Sequence, residues 1–120
     1  MKIIKQNKYH NTKIINNGIK FDSIKERNRY LILESAQKKG FICELELQKK
    51  FELQESFYDN DGKKQRAIYY IVDFFYFDKK LDCYVAEDVK SKATREDKVY
   101  RLKKKLFMYQ YHNIWFKEVI

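Results

Sequence analysis

This 120-residue sequence has no proline, three glycines and only two cysteines. So few helix-breaking and turn-forming residues predict regular elements joined by short loops. Cys43 and Cys83 stand alone in apolar runs without a CxxC pair, so we expect buried reduced thiols rather than a disulfide framework or a zinc site. The two histidines, His10 and His112, are isolated and receive no functional assignment.

Long apolar runs are also absent. No segment approaches the length of a transmembrane helix, and residues 1–6 lack the apolar core of a signal peptide. The chain is therefore expected to be cytoplasmic, with no membrane partner. An apolar fraction of 44% and an aromatic fraction of 17% exclude a disordered chain. The length predicts a single domain over residues 1–120.

Acidic residues are missing from residues 1–20, which hold five lysines. This segment is interpreted as a basic arm or a small hairpin, with a turn at residues 16–18. Residues 90–105 hold eight basic side chains against Glu96 and Asp97, and the net charge is +9. Charge concentrated in two places favours a polyanionic partner, nucleic acid before an anionic membrane. The alternative is a solvated lysine-rich surface.

The residue pattern predicts a helix, several strands, a second helix and a last strand. The first helix spans about residues 23–39, because Ser23 and Glu26 have capping-box spacing and Gly40 supplies the stop. Strand patterns occupy residues 41–47 and 51–58, with a break at residues 48–50 and a turn at residues 59–62. Thr94 is the predicted N-cap of the second helix, and residues 114–120 form the last strand. The fold class is therefore a mixed α/β sheet (α+β) flanked by helices.

The second predicted helix carries two kinds of side chain. An apolar stripe at i, i+3, i+7 and i+10 is predicted to face the core, and basic residues occupy much of the remaining surface. The stripe consists of Val99, Leu102, Leu106 and Tyr109.

Residues 70–90 form the most informative stretch, because a predicted hairpin with its polar centre at residues 78–80 carries charges in apolar strands. Alternation places Asp88 and Lys90 on one face and Glu87 on the other. A register that sets Asp73 beside Asp88 would bring two carboxylates and an ammonium together. One or two carboxylates with water and phosphate oxygens are typical of Mg²⁺ sites, and such sites hydrolyse phosphodiesters. Glu26 is a candidate for a further ligand.

The spacing of Asp73, fourteen residues and then Asp88-Val89-Lys90 resembles the D-x(n)-(D/E)-x-K signature of the PD-(D/E)xK nuclease superfamily. Val72 stands where the superfamily often has proline, and Ser91 where glycine often follows the lysine. Residues 20–26, 45–48, 69–74 and 87–90 resemble a phage-associated family of presumed endonucleases, itself similar to Holliday-junction-resolvase-like members. This likeness extends from about Lys8 to Val119.

The resemblance implies a restriction-endonuclease-like αβββαβ core, dependence on Mg²⁺ or Mn²⁺, and an active-site set of Glu26, Asp73, Asp88 and Lys90. Its metal ligands would be Asp73, Asp88 and Glu26. By the same analogy, Gln48 would support the ligands or contact substrate, although it could instead cap a strand. The basic cluster after Lys90 favours contacts with DNA phosphates, and its members are Lys92, Arg95, Lys98, Arg101, Lys104 and Lys105.

Simpler interpretations stay open for each residue. Glu26 could serve only as the capping partner of Ser23, and Asp73 could be an ordinary strand-edge aspartate. Asp88 and Lys90 could form a surface ion pair, and a bulge could turn Glu87 into the ligand in place of Asp88. Each basic residue of the second helix could simply be solvated, and Tyr100 could either contact phosphate or pack in the core.

The leading hypothesis is a metal-dependent endodeoxyribonuclease that acts on branched or junction DNA in phage recombination or replication. A homodimer would match a two-fold symmetric junction. The alternatives are a non-catalytic nucleic-acid-binding module of the same fold and an accessory protein whose charge serves solubility. The sequence does not distinguish DNA from RNA as the substrate.

Overall fold

A computed structural model of the chain describes residues 2–6, 12–16 and 18–120, with side chains from residue 18 onward. The backbone divides into two compact units, Met1–Ile42 and Cys43–Ile120. The single domain expected from the length stays a prediction.

The first unit contains a three-stranded antiparallel sheet in the order β1-β2-β3, followed by helix α1. Ser23 Oγ accepts a hydrogen bond from the Glu26 amide at 3.0 Å, and Gly40 follows the helix with a φ of +81°. Both predicted ends of this helix are therefore confirmed. In the predicted turn at residues 16–18, Asn17 lies outside the described residues. The elements are β1 (Lys2–Gln6), β2 (Thr12–Asn16), β3 (Ile19–Phe21) and α1 (Ile24–Lys38).

The second unit is built on a four-stranded sheet in the order β4-β7-β8-β9. Strands β7 and β8 pair antiparallel as the predicted hairpin, and β8 and β9 pair parallel across a helical connection. The sheet is therefore mixed and carries helices, which confirms the predicted fold class. Its strands are β4 (Ile42–Gln54), β7 (Ile68–Asp78), β8 (Cys83–Val89) and β9 (Trp115–Val119), and a separate small hairpin pairs β5 (Phe57–Tyr58) with β6 (Lys64–Gln65).

Strand β4 differs from the prediction because it continues through the expected break at residues 48–50. Gln48 has a φ of 52° within the strand, and Glu44 has a φ of 59°. A residue in the left-handed region interrupts side-chain alternation without ending the strand. The irregular pattern therefore marks a local distortion rather than a turn.

The predicted start of the second helix is wrong, because two helices replace one. A short helix, α2 (Lys92–Arg95), begins at Ser91, whose Oγ accepts a hydrogen bond from the Thr94 amide. The longer helix, α3 (Lys98–Gln110), begins at Asp97, whose Oδ2 accepts from the Tyr100 amide at 2.9 Å. Two good caps stand six residues apart, and each starts its own helix.

The predicted core-facing stripe of this helix is also wrong, because Val99, Leu102, Leu106 and Tyr109 are all exposed. The face that packs on the sheet carries Tyr100 and Phe107 instead. These aromatic rings fill the core with β4, β7 and β8 side chains. The members of that core are Phe51, Leu53, Tyr70, Val72, Ala86, Tyr100 and Phe107.

Both cysteines are free, as expected, but each is half-buried rather than buried. They lie at the starts of β4 and β8. The prediction of reduced thiols is thus confirmed for Cys43 and Cys83, and the prediction of full burial is wrong.

Candidate active site

The end of the β7–β8 hairpin opposite its turn brings the predicted carboxylates together. The paired register ends where Phe74 lies opposite Glu87, and Asp73 and Asp88 are the next residue on each strand. The amide of Val89 donates to Asp73 Oδ2 at 2.7 Å, which joins the two strands at this point. The register on which the sequence hypothesis depended is therefore present.

Asp88 is the buried member of the site, with 1% of its surface exposed. Its Oδ1 lies 3.2 Å from Lys90 Nζ, and its Oδ2 accepts a hydrogen bond from the Tyr70 hydroxyl. Burial is costly for a carboxylate unless charge and hydrogen bonds compensate it, and Asp88 has both. The predicted pairing of Asp88 with Lys90 on one face is confirmed.

Tyr70 supports this carboxylate from inside the core, where it is 5% exposed. Burial raises the pKa of the Tyr70 phenol, and the charge and hydrogen bond of Asp88 raise it further. The phenol therefore stays protonated as a donor through the physiological range.

Asp73 is half-buried and is bound at both oxygens. Besides the Val89 amide on Oδ2, its Oδ1 lies 3.3 Å from Gln48 Nε2. Gln48 is exposed on β4, at the residue where that strand distorts. Gln48 therefore contacts the Asp73 carboxylate, and its role as a supporting or substrate-binding residue stays a prediction.

Glu87 is fully buried, and its Oε2 accepts a hydrogen bond from the Tyr76 hydroxyl. In the register it lies opposite Phe74, one residue away from the Asp73–Asp88 pair. Asp88 is therefore the residue that stands across from Asp73, which favours Asp88 over Glu87 as the ligand.

Parallel pairing sets a further carboxylate, Glu118 of β9, beside Asp88 of β8. The hydroxyl of Tyr100 donates to Glu118 Oε2, and Lys104 Nζ lies 3.3 Å from the same oxygen. Burial opposes ionisation of Glu118, but the Tyr100 hydrogen bond and the Lys104 ammonium hold its pKa below the ordinary value. The pKa of Tyr100 is raised, first by burial and then by its bond to Glu118.

Sequence reasoning missed Tyr70 and Glu118 as neighbours of the site, and it left Tyr100 open between a phosphate contact and the core. Glu118 gave one local signal, since Glu118 and Lys117 are charged residues between the apolar residues of the last strand. The tyrosines gave none, because aromatic residues are ordinary in strands and helices. Their relation to the carboxylates depends on pairings between distant parts of the chain.

The six basic residues predicted to contact DNA divide into two groups. Arg95 and Lys104 lie near Glu118, with Arg95 Nε 3.8 Å from its Oε1. The other four are exposed on α2 and α3, and one of them, Arg101, lies with its Nη1 3.8 Å from Glu96 Oε2. They are Lys92, Lys98, Arg101 and Lys105.

Glu26 lies on the buried face of α1 with Tyr30 and Leu33, as its spacing suggested. It is 6% exposed, and its own amide is the one that Ser23 caps. Glu26 belongs to the first unit, whereas Asp73, Asp88 and Lys90 belong to the second. Its assignment as a metal ligand stays a prediction.

Within residues 2–6, 12–16 and 18–120, no group of three or more His, Cys, Asp or Glu side chains could hold a metal ion by itself. Asp73 and Asp88 offer two carboxylates. A carboxylate accepts about four hydrogen bonds, and Lys90 and Tyr70 take two of those places on Asp88. Mg²⁺ commonly takes one or two carboxylates and completes its shell with water and substrate phosphates, so this pair fits it.

No helix in the described part of the chain is long and apolar enough to cross a membrane. No curated protein and no solved structure matches the chain. The model of one family, described as "Protein of unknown function (DUF1064)", matches residues 6–120 and so includes every residue of the candidate site. The chain therefore belongs to the DUF1064 family.

Proposed function

We propose that this protein is a metal-dependent endodeoxyribonuclease that hydrolyses phosphodiester bonds, with branched or junction DNA as its substrate. One observation carries the proposal: Asp73 and Asp88 directly follow the Phe74–Glu87 pair of the register, where the Val89 amide donates to Asp73, and Lys90 Nζ lies 3.2 Å from Asp88. The D-x(n)-(D/E)-x-K spacing of the same three residues adds to it. Membership of the PD-(D/E)xK superfamily is part of the proposal.

In this proposal Asp73 and Asp88 hold Mg²⁺ or Mn²⁺. The bound ion would polarise the phosphate and lower the pKa of the attacking water. Asp73 keeps its orientation through Val89 and Gln48, and Asp88 keeps its own through Tyr70. Ligands that are fixed before substrate arrives need little reorganisation during the reaction.

Lys90 supplies a positive charge at the same place. Its side chain is 25% exposed, so the ammonium contacts Asp88 and still reaches solvent. An ammonium has three donors, and those not directed at Asp88 are available to a phosphate oxygen or to the attacking water. It would offset the negative charge that develops on the phosphate in the transition state.

The charge around the site supports a nucleic-acid substrate. The net charge is +9, and Lys92, Lys98, Arg101 and Lys105 are exposed on the two helices that follow Lys90. Lysine and arginine side chains that contact phosphates release counterions, so each such contact makes binding more sensitive to salt.

The test is a cleavage assay on duplex, nicked and four-way-junction DNA, and on a single-stranded RNA, with Mg²⁺, Mn²⁺ or a chelator. We expect cleavage of the junction with either metal and none with the chelator. Asp88→Asn keeps the size and the acceptor for Tyr70, so it should abolish cleavage and leave the fold intact. Asp61→Asn, in the exposed β5–β6 turn, is the matched control.

Failure to cleave any substrate would overturn the proposal, as would full cleavage by Asp88→Asn. Cleavage of RNA alone would keep the hydrolytic site and replace the substrate. Circular dichroism and thermal melting of both variants show whether a loss of activity reflects the site or the fold.

A non-catalytic nucleic-acid-binding module is the second candidate. The observation that favours it is the direct neutralisation of a 1% exposed Asp88 by Lys90, which is also how a structural ion pair would look. This candidate predicts salt-sensitive DNA binding without turnover, and binding that Asp88→Asn leaves unchanged.

A further inference from the structure

Lys90 is held by three contacts on three different elements. Its backbone amide donates to Val119 O at 2.8 Å, its ammonium lies 3.2 Å from Asp88 Oδ1, and the same ammonium lies over the Tyr100 ring, 4.6 Å from the centroid. A lysine side chain is flexible and commonly samples many rotamers. In Lys90 both the backbone amide and the ammonium are restrained.

Tyr100 is itself held at its backbone amide and at its hydroxyl. Its amide donates to the α3 cap, Asp97 Oδ2, at 2.9 Å, and its hydroxyl donates to Glu118 Oε2. The residue is 7% exposed and lies within the core beside Tyr70. Because the ring cannot turn freely, its face offers a constant position for a cation.

Glu118 does more than accept this hydrogen bond. It pairs with Asp88 in the parallel register and lies 3.3 Å from Lys104 Nζ, which is also 5.4 Å from the centre of the Tyr100 ring. The second ammonium is thus held at Glu118, while Lys90 is held at Asp88. The two lysines share one ring and have separate carboxylates.

We infer that Tyr100, oriented by Glu118, is a positioning residue that fixes the Lys90 ammonium beside Asp88. A ring face attracts a cation without accepting its proton or adding a formal charge. If Asp88 were its only partner, the Lys90 ammonium could direct more of its donors at the Asp88 carboxylate. With the ring as a second contact, one donor stays directed toward the place that a phosphate oxygen would occupy. This assignment rests on the proposed function for its catalytic consequence, but the restraint on Lys90 can be measured without it.

The direct test compares variants that keep or remove the ring. Tyr100→Phe keeps the ring and loses only the hydroxyl, whereas Tyr100→Met keeps much of the volume and has no ring. Tyr111→Met is the matched control, because Tyr111, at the opposite end of α3, packs against the same core and its ring stacks on Phe107. A control is needed because loss of any of these rings weakens the core.

The first readout is the NMR signal of the Lys90 ε-methylene protons in the full chain, assigned with Lys90→Gln. The ring current of Tyr100 should shift this signal upfield in the unmodified protein. We expect the shift to persist in Tyr111→Met, to weaken in Tyr100→Phe, whose ring has lost its bond to Glu118, and to disappear in Tyr100→Met. An unshifted signal in the unmodified protein, or a shift that survives in Tyr100→Met, would overturn the inference.

The second readout is the rate of DNA cleavage. We expect Tyr100→Met to lower kcat about tenfold with little change in KM, because Lys90 stabilises the transition state and would be displaced in this variant. Tyr100→Phe keeps the ring and should retain most of the unmodified rate. Equal losses in Tyr100→Met and Tyr111→Met would assign Tyr100 to packing alone. If the unmodified protein cleaves nothing, the proposed function fails while the NMR readout still decides the positioning of Lys90.

Discussion

The two ends of the β7–β8 hairpin use the same types of residue for different purposes. At the turn, Asp78 Oδ1 accepts hydrogen bonds from the amides of Lys80 and Leu81 at 2.9 and 3.0 Å. At the other end, Asp88 is buried and binds Lys90 and Tyr70 through its side chain. The aspartate at the turn binds backbone amides, while the aspartate at the open end binds the side chains of two other residues.

A tyrosine–carboxylate hydrogen bond also occurs at each end. Near the turn, the Tyr84 hydroxyl donates to Glu44 Oε2 at 3.0 Å in an exposed position. At the open end, Tyr70 donates to Asp88 in the core. Both hydrogen bonds join a phenol to a carboxylate, but only the bond between Tyr70 and Asp88 is buried. Exposed groups can exchange a lost partner for water, and buried groups cannot, so the same substitution should have unequal effects at the two ends.

Metal binding should show the largest contrast between the ends. Asp88→Asn replaces a charged ligand with a neutral amide, so we expect the affinity for Mn²⁺ to fall more than about a hundredfold. Asp78→Asn makes the same change in the turn and should leave the affinity unchanged. Isothermal titration calorimetry with Mn²⁺ measures both. Equal affinities in the two variants would place the cation somewhere other than the open end.

The two lysines extend the comparison to catalysis. Lys90→Gln removes the ammonium beside Asp88 and should slow DNA cleavage about a hundredfold, with the loss in kcat, because the charge acts mainly on the transition state. Lys80→Gln, in the exposed turn, should stay within about twofold of the unmodified rate. Steady-state kinetics on a junction substrate separates kcat from KM. A loss confined to KM would reassign Lys90 to substrate binding.

Local signals predicted much of this hairpin from sequence. Alternating apolar residues and the polar centre indicated two strands and a turn, and a side-chain period of two correctly joined Asp88 to Lys90. Ser23 and Gly40 fixed the ends of α1 for the same reason, since a cap acts within a few residues. The pairing of Asp73 with Asp88 needed only the register of adjacent strands.

Helix α3 shows where such signals stop. It has two faces with apolar residues, and the more regular one, Val99 to Tyr109, is exposed, while Tyr100 and Phe107 pack on the sheet. Periodicity identifies apolar faces but does not say which one meets a distant strand. Glu118 escaped notice for a related reason, because its place beside Asp88 depends on the parallel pairing of β8 with β9.

Loss of one hydroxyl at each end should separate the two tyrosines by stability. Tyr70→Phe leaves Asp88 Oδ2 without its donor in the core, and we expect it to lower the free energy of unfolding by about 1–3 kcal/mol. Tyr84→Phe should cost less than about 0.5 kcal/mol, because water replaces the exposed bond. Urea unfolding followed by circular dichroism gives both values. If Tyr84→Phe lowered the free energy of unfolding as much as Tyr70→Phe, burial would not determine the cost of losing the hydroxyl.

The smallest expected effect concerns the acid limb of the stability curve, where Glu118 at the open end should matter. Tyr100 and Lys104 lower the folded-state pKa of Glu118 below its ordinary value of 4.5, so the folded state binds a proton less readily than the unfolded state does. This contribution is fully present above about pH 5 and is lost as the pH falls through the folded-state pKa.

The Glu118 side chain is 17% exposed, so we expect a contribution of only about 0.5–1 kcal/mol. Glu118→Gln should therefore flatten the decline in unfolding free energy below about pH 4.5, whereas Glu52→Gln, an exposed carboxylate on β4, should follow the unmodified curve. Urea unfolding repeated from pH 6 down to pH 3 measures the slopes. Parallel curves for the unmodified protein and Glu118→Gln would mean that neither the Tyr100 hydrogen bond nor the ion pair with Lys104 stabilises the fold through the charge of Glu118.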